Sequence, residues 1–246
     1  MPITRRCFAS TLAGTILTGC AAGQSNSPVR LHARPQKPST PKEAGTHSLA
    51  LRAERDSLLY IPKALDADKP APLVVYLHGA TGNEQQGIRR ISAFADELGF
   101  LLLSPASLGG TWDAIRDGYG ADVAALDQAL TRTFAARNVD PKRIGLCGFS
   151  DGASYALGLG LSNGDLFPSI MAFSPGFVPP GSKPTGKPRV FVSHGTDDNI
   201  LPIDNCSRRI VPQLKQSGYN VTYREFPGPH TVPKDTLIES LKWLLA

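Results

Sequence analysis

Apolar residues in this chain gather in short unbroken runs, of which Leu73-Val74-Val75-Tyr76-Leu77 and Phe100-Leu101-Leu102-Leu103 are the clearest. A strand with one wet face alternates apolar and polar residues. A run without alternation belongs to a strand covered on both faces, as in a parallel sheet packed between helices. Such runs predict strands over 73–79, 100–103, 144–147, 169–173, 189–193 and 219–225. Helical spacing predicts helices over 85–98, 121–136, 150–161, 205–216 and 235–245. Two short candidates at 48–53 and 57–61, joined by Glu54-Arg55-Asp56, predict an antiparallel hairpin at the sheet edge. Strands alternating with helices define the expected class: α/β, a mainly parallel open sheet with helices on both faces and right-handed crossovers.

The first 47 residues do not follow this pattern. A basic start, Thr4-Arg5-Arg6, leads into a short run of small and apolar residues from Phe8 to Gly19. That run falls well under the ~20 residues a membrane-spanning helix needs, so 1–19 reads as an export signal. Its paired arginines resemble a twin-arginine signal. Leu17-Thr18-Gly19-Cys20 resembles the lipobox of bacterial lipoproteins, which implies a lipid on Cys20; an ordinary secretory peptide that carries a cysteine is the alternative. The segment that follows is rich in Pro, Ser, Gly, Gln and Lys, with isolated apolar residues such as Val29 and Leu31. It is expected to be a disordered tether over 20–47, too poor in apolar surface to offset its ordering entropy. The folded domain is then expected over 48–246.

The chemistry is read from one stretch, Gly148-Phe149-Ser150-Asp151-Gly152, between a predicted strand and a predicted helix. Glycines on both sides of Ser150 suit a turn too tight for a Cβ, and such a turn is expected to leave the serine hydroxyl exposed above the sheet. Cys147 is no rival nucleophile, because Phe149 stands where its turn would need a glycine. It is expected to be a small buried apolar residue. A serine needs a base, and five histidines are available. His32 and His47 lie in or beside the tether. His78 and His194 each end a buried strand before a glycine and are expected to be structural. His230, in the loop between the last strand and the last helix, lies at the carboxyl edge of the sheet, where open α/β sheets place their sites. Asp197 and Asp198, in the loop after strand 189–193, are both candidates for the orienting carboxylate. Trp112, after Gly109-Gly110-Thr111, could wall a substrate pocket or cap the core.

Three motifs together resemble the α/β-hydrolases, most closely the small secreted esterases of the phospholipase/carboxylesterase and polyhydroxybutyrate-depolymerase-like groups: Leu77-His78-Gly79-Ala80, Gly148-Phe149-Ser150-Asp151-Gly152, and His194-Gly195-Thr196-Asp197-Asp198 running to Pro202. The resemblance implies Ser150, Asp198 and His230 as catalytic residues, with Asp198 rather than Asp197 as the acid. It also implies backbone N–H groups of Ala80 and Asp151 as oxyanion donors. The lack of a disulfide set departs from the depolymerase-like members. The expected activity is hydrolysis of carboxylic esters through an acyl-enzyme, with no metal or organic cofactor and no inserted lid domain. A thioesterase or peptidase on the same fold is the alternative enzyme, and a non-catalytic surface binding module the alternative outside enzymes.

Composition narrows the partners. Of 26 Lys and Arg residues two lie in the leader, leaving 24 against 21 acidic residues. That slight excess argues against nucleic acid, which needs a dense basic face. The expected partners are a small-molecule ester and, through Cys20, a membrane; the expected location is the cell envelope. Nothing in the sequence sets an oligomeric state.

Overall fold

The computed structural model describes residues 29–180 and 183–246. The export signal, Cys20 and the first part of the tether lie outside the described residues. Eight strands form one sheet in the order β1-β2-β4-β3-β5-β6-β7-β8. They are β1 (Gly45–Ser48), β2 (Leu58–Ile61), β3 (Ala71–Leu77), β4 (Leu101–Ser104), β5 (Val139–Phe149), β6 (Ser169–Phe173), β7 (Arg189–Gly195) and β8 (Val221–Phe226). Pairing from β4 onward across β3, β5, β6, β7 and β8 is parallel, while β1 and β2 run antiparallel at one edge. Among the described residues five α-helices pack on the sheet: α1 (Glu84–Leu98), α2 (Ala121–Ala136), α3 (Asp151–Ser162) and α4 (Ser207–Gln216) between strands, and α5 (Lys234–Leu245) after the last one.

The unbroken apolar runs have the predicted cause. Strand side chains alternate between faces, and β3 sends Leu73, Val75 and Leu77 to the face covered by α2, α3 and α4. Val74 and Tyr76 go to the other, covered by α1 and α5. On β6, Ile170 and Ala172 join the first layer, and Met171 and Phe173 the second. Cys147 is buried without a disulfide, as a small apolar residue of the second layer. Among the described residues no helix is long and apolar enough to cross a membrane.

Two expectations are corrected. The first edge strand lies at Gly45–Ser48 rather than 48–53. The Asp56 carboxylate accepts from Ser48 Oγ at 2.5 Å, Ala50 N at 2.7 Å and Leu51 N at 3.0 Å. With Ala50 in the left-handed region at φ 55°, these bonds turn the chain where a strand was expected to continue.

The second correction concerns the tether, because the segment from residue 29 to β1 is laid against the domain. Leu31 is 1% exposed in the main core. Asn163 holds the segment from both sides, its Oδ1 accepting from Leu31 N at 2.8 Å and its Nδ2 donating to the carbonyl of Val29 at 2.8 Å. Asp127 Oδ1 accepts from the backbone N–H groups of His32 and Ala33. Arg30 grips the carboxylate of Asp165 through two nitrogens and also reaches the carbonyl of Ser162. A composition argument averages over the segment and misses one leucine with a socket. Leu31→Ala is therefore expected to lower stability by about 2–5 kcal/mol, as for other fully buried leucines; an urea unfolding curve that leaves the midpoint where it was would return the segment to the tether.

Candidate active site

Ser150 is the residue between β5 and α3, with φ 58° and ψ −120°. A non-glycine residue at such angles carries strain on the order of 1–3 kcal/mol and persists only where its surroundings impose it. They do so here by crowding. A Cβ on Gly148 would lie 2.1 Å from the carbonyl oxygen of Gly152, and one on Gly152 would lie 2.2 Å from that of Leu77. The helix thus starts in contact with the neighbouring strands, and the backbone N–H of Ser150 donates to the carbonyl of Phe173 at 2.9 Å. The serine is less exposed than expected, at 8%.

The parallel strands bring the other groups to the same edge. His230 Nε2 lies 2.8 Å from Ser150 Oγ, and His230 Nδ1 lies 2.6 Å from Asp198 Oδ2. Two backbone bonds fix this approach: Thr196 N donates to the carbonyl of Phe226, and Asp197 N to that of Gly228, so the loop after β7 is laced to the loop after β8. Asp198 is buried, whereas the Asp197 side chain faces solvent. Of the two candidate carboxylates, only Asp198 meets the histidine.

Burial by itself would raise the pKa of Asp198. The N–H of Leu201, the contact with His230 and the N–H of Ile200 outweigh that, and its carboxyl sits below the ordinary range. Asp198 Oδ2 has a second neighbour, His194 Nε2, at 3.1 Å. His194 Nε2 also donates to the carbonyl of Leu201 at 2.8 Å, and its Nδ1 lies 2.7 Å from Ser207 Oγ. Burial depresses the basicity of His194. The expected structural role for this histidine holds, but the carboxylate it supports is the one facing His230, a link the sequence does not display.

Asp151 follows Ser150 in the chain, and Ala80 follows Gly79. The Gly79 position is in contact range of the Ser150 Cβ, so Ala80 begins the loop beside the serine. Asp151 is the first residue of α3, where backbone N–H groups lack partners within the helix. The adjoining loop is held from below by carboxylates that sequence reading passed over. Asp122 accepts from the N–H groups of Leu108 and Asp113, and Asp113 from those of Gly120 and Asp122. Thr81 N donates to the carbonyl of Gly110, and Thr111 Oγ1 to Asp151 Oδ2 at 2.6 Å.

Trp112 belongs to this support and does not wall a pocket. It is 1% exposed, its Nε1 donates to the carbonyl of His78, and its ring lies 4.9 Å from the His78 ring and 5.2 Å from that of Tyr155. His78 is structural as expected: its Nε2 accepts from Ser107 N, which leaves Nδ1–H to donate to the carbonyl of Gly79. No cluster of three or more His, Cys, Asp or Glu side chains positioned to hold a metal occurs among the described residues.

This sheet order, with a serine on the turn after the central strand and histidine and aspartate on later loops, is the α/β-hydrolase fold. Within it the chain belongs to the phospholipase/carboxylesterase family, whose pattern matches residues 119–244, just over half of its length. It is similar to NocK of Nocardia uniformis subsp. tsuyamanensis, 27% identical over 152 residues, which are 58% of this chain and 44% of NocK. It is also similar to a bifunctional acetylxylan esterase/xylanase of Neocallimastix patriciarum, 31% identical over 155 residues, 61% of this chain and 22% of that one. The chain thus spans less than half the length of either relative. Among solved structures it superposes on the fluorophosphonate-binding serine hydrolase FphF of Staphylococcus aureus with a TM-score of 0.65 at 14% identity, covering 83% of this chain and all of that one.

His78 and His194 make stability depend on pH. Burial holds both below the ordinary histidine value of 6.5, so between that value and their folded values the unfolded chain binds protons that the folded chain does not. Stability is then complete above about pH 6.5 and falls as the pH drops, by up to about 1.4 kcal/mol per pH unit for each histidine. The contribution of Asp198 is lost only at lower pH, below the carboxylate range. Thermal melts between pH 8 and pH 5 should show this decline, and His78→Gln should flatten it by about one proton's worth. A melting temperature level across that window would mean that these histidines are not held neutral.

Proposed function

We propose that the protein is a serine-dependent carboxylic-ester hydrolase acting through an acyl-enzyme. The observation that carries the reading is the unbroken contact chain from Asp198 through His230 to Ser150, at 2.6 and 2.8 Å. In this mechanism Ser150 Oγ attacks the ester carbonyl carbon as His230 Nε2 takes its proton. The carbonyl oxygen becomes an oxyanion that accepts from the N–H groups of Ala80 and Asp151; one such donor contributes about 2.7–4 kcal/mol in well-measured enzymes. His230 then returns the proton to the alcohol oxygen as the C–O bond breaks, leaving the acyl group on Ser150. A water attacks next, giving its proton to His230, and the acid leaves with Ser150 regenerated. Asp198 stays ionised throughout, holding His230 Nδ1–H and compensating the positive charge on the ring. Membership of the phospholipase/carboxylesterase family and the similarity to an acetylxylan esterase/xylanase support the reaction class.

The rim of the site favours an apolar substrate. Leu108, Phe177 and Ile200 are the large apolar residues left exposed among the described residues. Each lies on a loop after a strand that ends at the Ser150 edge, namely β4, β6 and β7. Exposed apolar side chains on three loops of the same edge would suit contact with an apolar ligand.

A fluorophosphonate probe tests the chemistry. Ser150 should label stoichiometrically, and both Ser150→Ala and His230→Ala should abolish labelling while the protein stays folded, since neither removes core volume. Asp198→Asn should lower kcat on p-nitrophenyl esters by about 10⁴, with Asp197→Asn nearly silent. Ile200→Asp should raise KM for hexanoyl more than for acetyl esters. A folded wild type that neither labels nor hydrolyses any simple ester would leave a binding module instead.

The same reading places the domain outside the cytoplasm, exported by the segment 1–19 and held by a lipid on Cys20. Leu17-Thr18-Gly19-Cys20 supports it. A single acyl chain binds a membrane marginally, whereas several chains hold stably. Mature protein from membranes should begin at residue 20 with a lipid adduct visible by intact mass, and Cys20→Ser should release it; an unmodified residue 20 would end this part of the proposal.

A further inference from the structure

On the face of the sheet covered by α1 and α5 there is a cavity of about 270 Å³. Tyr76 of β3 and Phe173 of β6 line it from the sheet, Ile91 from α1 and Leu237 from α5, and Arg90 and Lys234 stand with them. It is separate from Ser150 but near His230. The Phe149 ring comes between, 4.7 Å from the His230 ring and 5.7 Å below the Arg90 guanidinium.

Three properties define what the cavity suits. Most of its lining is apolar, so it favours an apolar body over water. Its two cations are uncompensated: among the described residues neither Arg90 nor Lys234 has a salt-bridge partner, and each lies over an aromatic ring instead, Phe149 and Phe94 respectively. The third is the hydroxyl of Tyr76, a residue 2% exposed, which has no hydrogen-bond partner. Burial pushes this phenol far up, so it remains a neutral donor at any physiological pH, and the charge of Arg90 acts on it. A buried donor without an acceptor is unusual in a folded protein, because desolvation is then left uncompensated. An anion held at Arg90 and Lys234 would supply the acceptor that the hydroxyl lacks.

We propose that this cavity is a binding site for an apolar monocarboxylate, with the hydrocarbon part among Ile91, Phe173 and Leu237 and the carboxylate at Arg90, Lys234 and the Tyr76 hydroxyl. An acid of this kind is also what hydrolysis of an apolar ester releases. Its identity as product therefore rests on the hydrolase reading, while the binding itself does not. Arg90 lies over the Phe149 ring, which in turn packs on the His230 ring, so the carboxylate end of the site is linked to the base through one aromatic side chain.

Octanoate titrated calorimetrically into the Ser150→Ala protein tests the site without turnover. Saturable binding is expected with a Kd on the order of 0.1–1 mM at low salt, weakening as salt is raised. The double variant Arg90→Gln/Lys234→Gln, which alters two exposed side chains, should bind octanoate about tenfold more weakly, and Tyr76→Phe about threefold. Octylamine, which has a similar chain and the opposite charge, should not bind. Equal affinity in the double variant, equal binding of octylamine, or no saturable binding below roughly 10 mM would each overturn the proposal. Because Ser150→Ala carries no hydrolytic activity in the mechanism above, a wild type that fails to cleave esters leaves this result standing, and failure here leaves the hydrolase reading standing.

Discussion

The crowded passage from β5 into α3 sets the position of everything else in the site. Gly148 and Gly152 let two strands and a helix N-terminus approach more closely than any Cβ permits. The chain between them has room only for a sharp turn, which places Ser150 at φ 58°. Strain at that one residue is held by the pairing of β5 with β3 and β6 on either side. The same packing puts the first N–H groups of α3 beside the serine, where unpaired donors face any negative charge that develops on a neighbouring atom. Serine, helix N-terminus and the loop of Gly79 and Ala80 are thus brought together by one packing constraint.

The second organising group is the Asp198 carboxylate. It is buried, yet its four contacts, to the N–H groups of Ile200 and Leu201 and to His230 and His194, hold it ionised against the effect of burial. A buried carboxylate with fewer donors would take up a proton, and with fewer backbone donors it would be free to swing away from the histidine. His194 adds a neutral imidazole fixed at both ends, by Ser207 and by the carbonyl of Leu201. The loop after β7 therefore arrives with its acid already oriented, and its lacing to the loop after β8 brings His230 to it.

Two further carboxylates have a structural role. Asp113 and Asp122 gather backbone N–H groups of the loop between β4 and α2, and this loop, through Gly110 and Thr111, steadies the segments on both sides of Ser150. Trp112 lies beneath, stacked between His78 and Tyr155. Away from the site, Asn163 and Asp127 hold the segment before β1 by the same means, side chains satisfying the backbone of an irregular stretch of chain.

Periodicity alone was enough for the core of the fold. Helix α2 and strand β6 fall where the apolar spacing puts them, because the alternation of buried faces is local and leaves its record in neighbouring residues. The serine was legible for a similar reason: the steric demand of its turn is written in two glycines within five residues. His230 could be chosen by elimination, since open parallel sheets put one set of loops at one edge. Other features were decided only by contacts between residues far apart in the chain. Whether Asp197 or Asp198 meets His230 depends on how two loops 32 residues apart are laced. Whether Trp112 lines a pocket or fills the core depends on His78 and Tyr155. That Leu31 is buried depends on Asn163, 132 residues away, and that Tyr76 borders a cavity depends on the gap between α1 and α5. A sequence fixes what its neighbouring residues demand of the backbone; which distant side chain closes a hydrogen bond or leaves a space is settled when the layers pack.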